Sequence, residues 1–313
     1  MKKAVLFAGQ GSQKLGMGAD FYDRYSEFKN LFDNNDLDFD LKKMCFEDPD
    51  NLLRITKYTQ PCITAYTVGI SQILRNQGFK ADYCAGLSLG EYAALEMADV
   101  FTAQDVINIT AKRGQAMDDA SKGIECQMIA VLGLDEKELS ELTNTYSELG
   151  CVSITNYNCP GQIVIGGEKK AVSACADEAM KRGARGAVPL EVSGPFHTKM
   201  MQPAGKELDA TLNSVELGQM NTSVVFNCLG AEKDLNMDIR NLLLRQLVEP
   251  VRMEQTIRYL FAKGVREFIE IGMGQTLSGF VKRTARSEHL TDVKISSIGT
   301  VEEMEAFLNK GVA

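Results

Sequence analysis

The segment Gly86-Leu87-Ser88-Leu89-Gly90 constrains this chain more than any other. Tyr83-Cys84-Ala85 before it reads as a short strand, and Glu91 to Met97, rich in Ala, Leu and Glu, reads as a helix. A strand that turns directly into a helix presses backbone against backbone, and positions without a side chain tolerate that approach. Gly86 and Gly90 supply them. Such a turn exposes the Ser88 hydroxyl at the carboxyl end of the strand. The new helix aims its free N–H groups at the same point, where they and the helix dipole favour developing negative charge. The N–H of Leu89 is then a natural oxyanion donor. Taken alone, the pattern is served equally well by a plain turn in which Ser88 caps the helix.

Strands and helices alternate around this turn. Ala4 to Ala8 reads as a buried first strand. Helical spacing runs through Phe21, Tyr25, Phe28 and Phe32, and again over 60–77 and 103–118. The stretch 126–192 has the order β-α-β-β-α-β of a ferredoxin-like unit: strands at 126–132, 152–157, 162–166 and 186–192, helices at 135–148 and 169–182. Asn158-Cys159-Pro160-Gly161 is the hairpin between its middle strands. Beyond it come strands at 224–226, 265–271 and 294–298, and helices over 239–262 (interrupted at Pro250), 275–286 and 301–309. The expected fold is α/β. A large body built from 1–125 and 193–313 around a largely parallel sheet would carry an inserted small subdomain at 126–192.

Serine is a weak nucleophile without a base. The chain offers two histidines. His197 lies in Ser193-Gly194-Pro195-Phe196-His197, on the connection from the insert back to the larger body, where catalytic residues often sit. His289 lies in a polar stretch near a helix end and reads as a solvated cap. The loop Gly9-Gln10-Gly11-Ser12-Gln13 fails the dinucleotide fingerprint, because Gly16 is misplaced for G-x-G-x-x-G, and no Walker lysine follows. It reads as a tight loop offering N–H groups to a nearby site. Eight cysteines form no C-x-x-C pair, so neither a zinc site nor a redox motif is suggested. The net charge of −8 and pI of about 5.1 disfavour general binding to nucleic acid or anionic membranes. No apolar run approaches the roughly 18 residues of a membrane span. The start meets Gly9 too soon for the core of a signal peptide, so a cytoplasmic protein is expected.

Together these residues resemble the malonyl-CoA:acyl carrier protein transacylases of fatty acid synthesis and the related acyltransferase domains of polyketide synthases. Four motifs carry the resemblance in the family's order: Gly9 to Gln13, Gly86 to Tyr92, Arg113-Gly114, and Gly194 to His197. Asn156 to Gln162 and Gln246-Leu247-Val248-Glu249-Pro250-Val251 also look like family segments. The resemblance implies an α/β-hydrolase-like large subdomain, a ferredoxin-like small one and a site between them. It implies Ser88 as nucleophile, His197 as base, the N–H groups of Gln10 and Leu89 as oxyanion hole, and the carbonyl of Gln246 as the group orienting the histidine. Arg113 would bind the substrate carboxylate, to which a guanidinium offers a planar, bidentate match. Leu87, Asn158 and Phe196 are candidates for the acyl pocket. Phe196 looks like the malonyl-type pattern, since a bulky ring crowds a branched acyl carbon. Leu87 departs from the family, which often has histidine there.

The implied reaction is ping-pong transfer from malonyl-CoA to the phosphopantetheine thiol of acyl carrier protein, with no metal or redox cofactor. The rival readings are an acyltransferase of a polyketide or polyunsaturated fatty acid pathway, a serine thioesterase or hydrolase, and a non-enzymatic binding subunit. A monomer is expected. Lys181-Arg182 with Arg185, or Lys282-Arg283 with Arg286, would dock an acidic carrier.

Overall fold

A computed structural model describes residues 1–309. The chain begins with β1 (Lys2–Phe7), α1 (Ala19–Arg24), α2 (Ser26–Asp33), α3 (Leu41–Phe46) and α4 (Thr56–Asn76). Next come β2 (Tyr83–Gly86), α5 (Gly90–Met97) and α6 (Ala103–Ser121), then β3 (Cys126–Leu132), α7 (Glu136–Tyr146), β4 (Val152–Cys159), β5 (Gln162–Glu168), α8 (Lys169–Lys181) and β6 (Gly186–Pro189). The last third holds α9 (Gln202–Asn213), β7 (Ser223–Val224), α10 (Ile239–Val248), β8 (Val251–Arg252), α11 (Met253–Ala262), β9 (Val265–Ile271), α12 (Thr276–Ser287), β10 (Lys294–Ile298) and α13 (Val301–Asn309).

The first sheet has the order β10-β9-β1-β2-β7, with every pair parallel. Its central strand is apolar at successive positions because helices cover both faces. Val5 and Phe7 enter one core, while Ala4 and Leu6 enter the core on the opposite face. β1 and β2 pair in register from Ala4↔Tyr83 to Phe7↔Gly86, so both strands end side by side. The loops that follow them, 8–18 and 87–89, are therefore neighbours.

The second sheet runs β6-β3-β5-β4-β8. Its first four strands pair antiparallel in the ferredoxin-like order, as expected. The fifth, β8, comes from outside 126–192 and adds in parallel beside β4, with Asn156 opposite Val251 and Tyr157 opposite Arg252. Pro250 produces it: the predicted 239–262 helix stops at Val248, and the chain runs extended for two residues before α11 starts. Ile129, Val131, Ile163 and Ile165 bury one face of this sheet with residues of α7 and α8. Met128, Ala130 and Val164 turn the other face toward the main core.

Other elements differ from the sequence reading in particulars. The 21–32 pattern is two helices, broken at Tyr25, whose backbone is extended (φ −122°, ψ 118°). α3 and α9 lie outside the elements expected from the sequence, although Leu41, Met44 and Cys45, and Ala204, Leu208 and Leu212, have the spacing of a buried helical face. The 224–226 strand shortens to a two-residue ladder, after which Phe226 turns to bridge Ala231. β6 ends at Pro189, and the hairpin turn narrows to Pro160-Gly161 because Asn158 and Cys159 belong to β4. All eight cysteines are free. Among the described residues no helix is long and apolar enough to cross a membrane.

The packing predicts opposite outcomes for two Gly→Ala changes. Gly205, within α9, has nothing within 4 Å of an added Cβ, whereas at Gly90 that atom would fall 2.1 Å from the carbonyl oxygen of Phe7. In denaturant unfolding, Gly205→Ala should gain about 0.5–1 kcal/mol from helix propensity. Gly90→Ala should lose about 2 kcal/mol or more by overpacking. Equal effects would contradict the close approach at Gly90.

Candidate active site

The turn after β2 is as tight as the sequence requires. A Cβ on Gly86 would lie 2.0 Å from the carbonyl carbon of Gly90, and one on Gly9 would lie 2.3 Å from the carbonyl oxygen of Leu87. The first glycine loop is thus pressed against the elbow. Between these contacts Ser88 is driven into the left-handed region, at φ 51°. That conformation costs an L-residue about 1–2 kcal/mol, and two side-chain amides offset it. Asn227 Oδ1 accepts from Ser88 N at 2.7 Å, and Gln246 Nε2 donates to Ser88 O at 3.0 Å.

His197 sits in the loop between β6 and α9, buried, itself at φ 60°. Its Nε2 lies 2.7 Å from Ser88 Oγ, and its Nδ1 lies 2.7 Å from the carbonyl oxygen of Gln246. A carbonyl only accepts, so Nδ1 carries the proton and Nε2 is left to accept one from Ser88. Gln246 O is available for a plain reason. Its helical partner four residues on is Pro250, which has no N–H. The imidazole pKa is pushed down to about 4, first by burial and then by the charge of Arg113, against the opposing pull of the carbonyls of Gln246 and Glu249. The ring is therefore neutral at pH 7.

Arg113 projects from α6 and is 1% exposed. Its guanidinium donates to Gln60 Oε1 (2.8 Å), Gln246 Oε1 (3.1 Å) and Ser88 Oγ (3.2 Å), and stands 5.3 Å from the ring centre of Tyr92. All these partners are neutral. Its Nε has no partner among the described residues. The nearby Glu91 does not supply the missing charge. It is fully buried, accepts one bond from Asn227 N (2.5 Å), and burial pushes its pKa up to about 8. A buried cation without a counter-ion costs several kcal/mol, and an anion entering beside Ser88 relieves that cost.

A cavity of about 250 Å³ opens on Ser88. Gly9, Gln10, Leu87, Phe196 and His197 line it from the first body, Met128, Asn158, Gln162 and Val164 from the second sheet, and Leu277 and Phe280 from α12. The expected acyl-pocket residues Leu87, Asn158 and Phe196 are therefore together. Asn158 Oδ1 is buried and has no partner among the described residues. Leu89 follows Ser88 at the start of α5, with its side chain buried in the core. Among the described residues, neither the Gln10 N–H nor the Leu89 N–H donates to another protein group.

His289 is exposed just past the end of α12. Lys181 and Arg182 pair with Glu178. Arg185, Arg283 and Arg286, from the two separate clusters, instead line one pocket of about 590 Å³. It adjoins the cavity through Gln162, whose Oε1 accepts from Arg283 Nη1 at 2.8 Å. Gln60, Asn227 and the side chain of Gln246 were not read from the sequence. The one available signal for Asn227 was its place after a strand at the carboxyl edge of a parallel sheet, where sites gather.

A serine bonded to a neutral buried histidine at a strand-to-helix elbow, beside a guanidinium that no carboxylate bonds among the described residues, is an arrangement suited to acyl transfer on an α/β body. The comparisons agree. Residues 5–307 match the family described as acyl transferase domain. The chain is 38% identical over 304 residues to the malonyl CoA-acyl carrier protein transacylase of Bacillus subtilis (strain 168), covering 96% of this chain and 95% of that protein. The crystal structure of malonyl CoA-acyl carrier protein transacylase from Clostridium perfringens superposes with a TM-score of 0.93 at 37% identity, covering 99% of this chain and 97% of that one. A malonyl-transacylase solved in complex with its type II polyketide synthase acyl-carrier protein gives a TM-score of 0.92 at 33% identity, covering 99% of this chain and all of that one. This chain belongs to the malonyl-CoA:acyl carrier protein transacylase family.

The depressed pKa of His197 predicts the pH dependence of Ser88 reactivity. With a serine-directed sulfonyl fluoride, labelling followed by intact mass should lose only about a tenth of its rate between pH 7 and pH 5, since a group titrating near 4 is mostly neutral there. An imidazole titrating near 6.5 would lose over about nine-tenths, and that outcome would contradict burial of the neutral ring. Stability follows the same sign: it is withdrawn as pH falls from 6.5 toward 4, where the unfolded chain takes the proton first.

Proposed function

We propose that this protein transfers the malonyl group of malonyl-CoA to the phosphopantetheine thiol of acyl carrier protein for fatty acid synthesis, through an ester on Ser88. The observation that carries this reading is the buried guanidinium of Arg113, 3.2 Å from the Ser88 hydroxyl and hydrogen-bonded to no carboxylate among the described residues. One methylene separates the thioester carbon of malonyl from its carboxylate. An acyl group held on Ser88 therefore has its carboxylate within reach of Arg113, while acetyl leaves that cation unpaired.

His197 Nε2 takes the Ser88 proton as Oγ attacks the thioester carbon. The tetrahedral oxyanion is received by the N–H groups of Gln10 and Leu89. On collapse His197 gives that proton to the departing sulfur, so coenzyme A leaves as the thiol, malonyl-Ser88 remains and Nε2 is again free to accept. The carrier thiol then gives its proton to His197 and attacks the ester. Collapse breaks the ester bond, and the proton returns to Ser88 Oγ. The Gln246 carbonyl holds the imidazole in the tautomer both halves need. The site lies in the cleft between the large body, 1–125 and 193–313, and the small subdomain, 126–192, whose walls keep water from the ester.

The three-arginine rim formed by Arg185, Arg283 and Arg286 suits the phosphate of the arm and an acidic carrier. A polyketide carrier would use the same chemistry with a different docking face. In initial-rate assays with both substrates varied, a double-displacement enzyme gives parallel reciprocal lines; intersecting lines, or free malonate in place of malonyl carrier, would sink the reading. Arg113→Ala should lower kcat/KM for malonyl-CoA by about a hundredfold or more and narrow the preference over acetyl-CoA, and unchanged selectivity would remove Arg113 from carboxylate binding. Arg286→Glu should raise the KM for carrier while leaving acylation intact; an unchanged KM would remove the rim from docking.

A further inference from the structure

Asn227 is 1% exposed, does not line the cavity, and yet spends every polar group it has on the site's framework. Its Oδ1 accepts from Ser88 N at 2.7 Å and its Nδ2 donates to Gly86 O at 2.7 Å. Its own N–H donates to Glu91 Oε2. Its carbonyl accepts from Arg252 N at 2.9 Å, on the short strand β8 that also pairs with β4 of the second sheet. One residue thus grips the last strand residue before the elbow, the elbow itself and the first turn of the helix after it.

Peptide groups are planar, so a grip on one edge fixes the other. The amide of Asn227 holds the plane that ends in Ser88 N. The amide of Gln246 holds the plane that begins with Ser88 O, whose far edge is the Leu89 N–H. Between two fixed planes Ser88 cannot relax from its left-handed conformation to a commoner one, a rotation that would swing Oγ away from His197 Nε2. Gln246 also serves Arg113 and His197, so its substitution disturbs several parts at once. Asn227 touches only the framework.

We propose that Asn227 is a positioning residue for acyl transfer, setting the direction of Ser88 Oγ and, together with Gln246, that of the Leu89 N–H through the main chain of the elbow without touching substrate. This rests on Ser88 being the acylated residue. Removing the side chain leaves His197, Arg113 and the cavity walls in place, so binding persists while the aligned state becomes rare.

The test is single-turnover acylation by malonyl-CoA, read by intact mass against time and concentration, for wild type, Asn227→Ala and Asn227→Ser, with thermal unfolding alongside. Asn227→Ala should lower the maximal acylation rate by about a hundredfold, the size of losing one oxyanion donor. The half-saturating malonyl-CoA should stay within about threefold, and the pH midpoint should match wild type, since no titratable group is removed. Asn227→Ser, which keeps one hydroxyl for one of the two bonds, should fall between and serves if the alanine variant does not fold. Variants acylating within about threefold of wild type, or losing binding while keeping rate, would overturn the proposal. A wild type that forms no adduct would instead remove the reading of Ser88 on which it rests.

Discussion

Around Ser88 three stretches of main chain meet with no space for a Cβ. Gly86 touches Gly90, Gly90 touches the end of β1, and Gly9 touches Leu87, each at a separation that an added methyl would reduce to between 2.0 and 2.3 Å. The contact follows from parallel pairing of β1 and β2, which ends the two strands level. From it come the left-handed serine, the placement of the Gln10 loop against the elbow, and the start of α5 two residues after Ser88. The small sheet, the histidine loop and α6 are arranged around a geometry that is already set there.

The second determinant is charge in a dry place. Arg113 and His197 are almost wholly buried, and their close hydrogen-bonding partners are amides, a hydroxyl and a carbonyl. Among the described residues no carboxylate hydrogen-bonds the guanidinium, burial pushes nearby Glu91 toward its neutral form, and the positive charge of Arg113 helps keep His197 unprotonated. A buried cation without a counter-ion costs stability, and under the proposed function that cost is what favours an acyl group carrying its own carboxylate. Pro250 contributes by what it lacks. Without its N–H the carbonyl of Gln246 stays free for His197, and the interrupted helix supplies β8, which joins the second sheet to the first body.

Much of this was legible in sequence because the determining signals are local. The glycines at 9, 86 and 90 report close backbone approach. The apolar run at 4–8 reports a strand covered on both faces, and the alternation over 126–192 gave all six elements of the insert. The meeting of Ser88 and His197 was legible because few candidates existed: one serine in an elbow pattern and one histidine in a Gly-Pro loop. What escaped depends on contacts distant in sequence. Asn227 meets Ser88 from 139 residues away, and Gln60 meets Arg113 from 53. Neither lies in a local pattern that demands a polar side chain. β8 is two residues long, too short for periodicity to register. The convergence of Arg185 with Arg283 and Arg286 arises from how the small sheet and α12 lie together, which no charge count reveals.

The most direct test is intact-protein mass spectrometry after brief mixing with malonyl-CoA, with acetyl-CoA and Ser88→Ala as controls and acyl carrier protein added afterwards. The account predicts one malonyl adduct on wild type, absent from Ser88→Ala and weak with acetyl-CoA, that moves to the carrier thiol when carrier is added. An adduct that persists in Ser88→Ala, or coenzyme A release that yields free malonate and leaves the carrier unloaded, would contradict it.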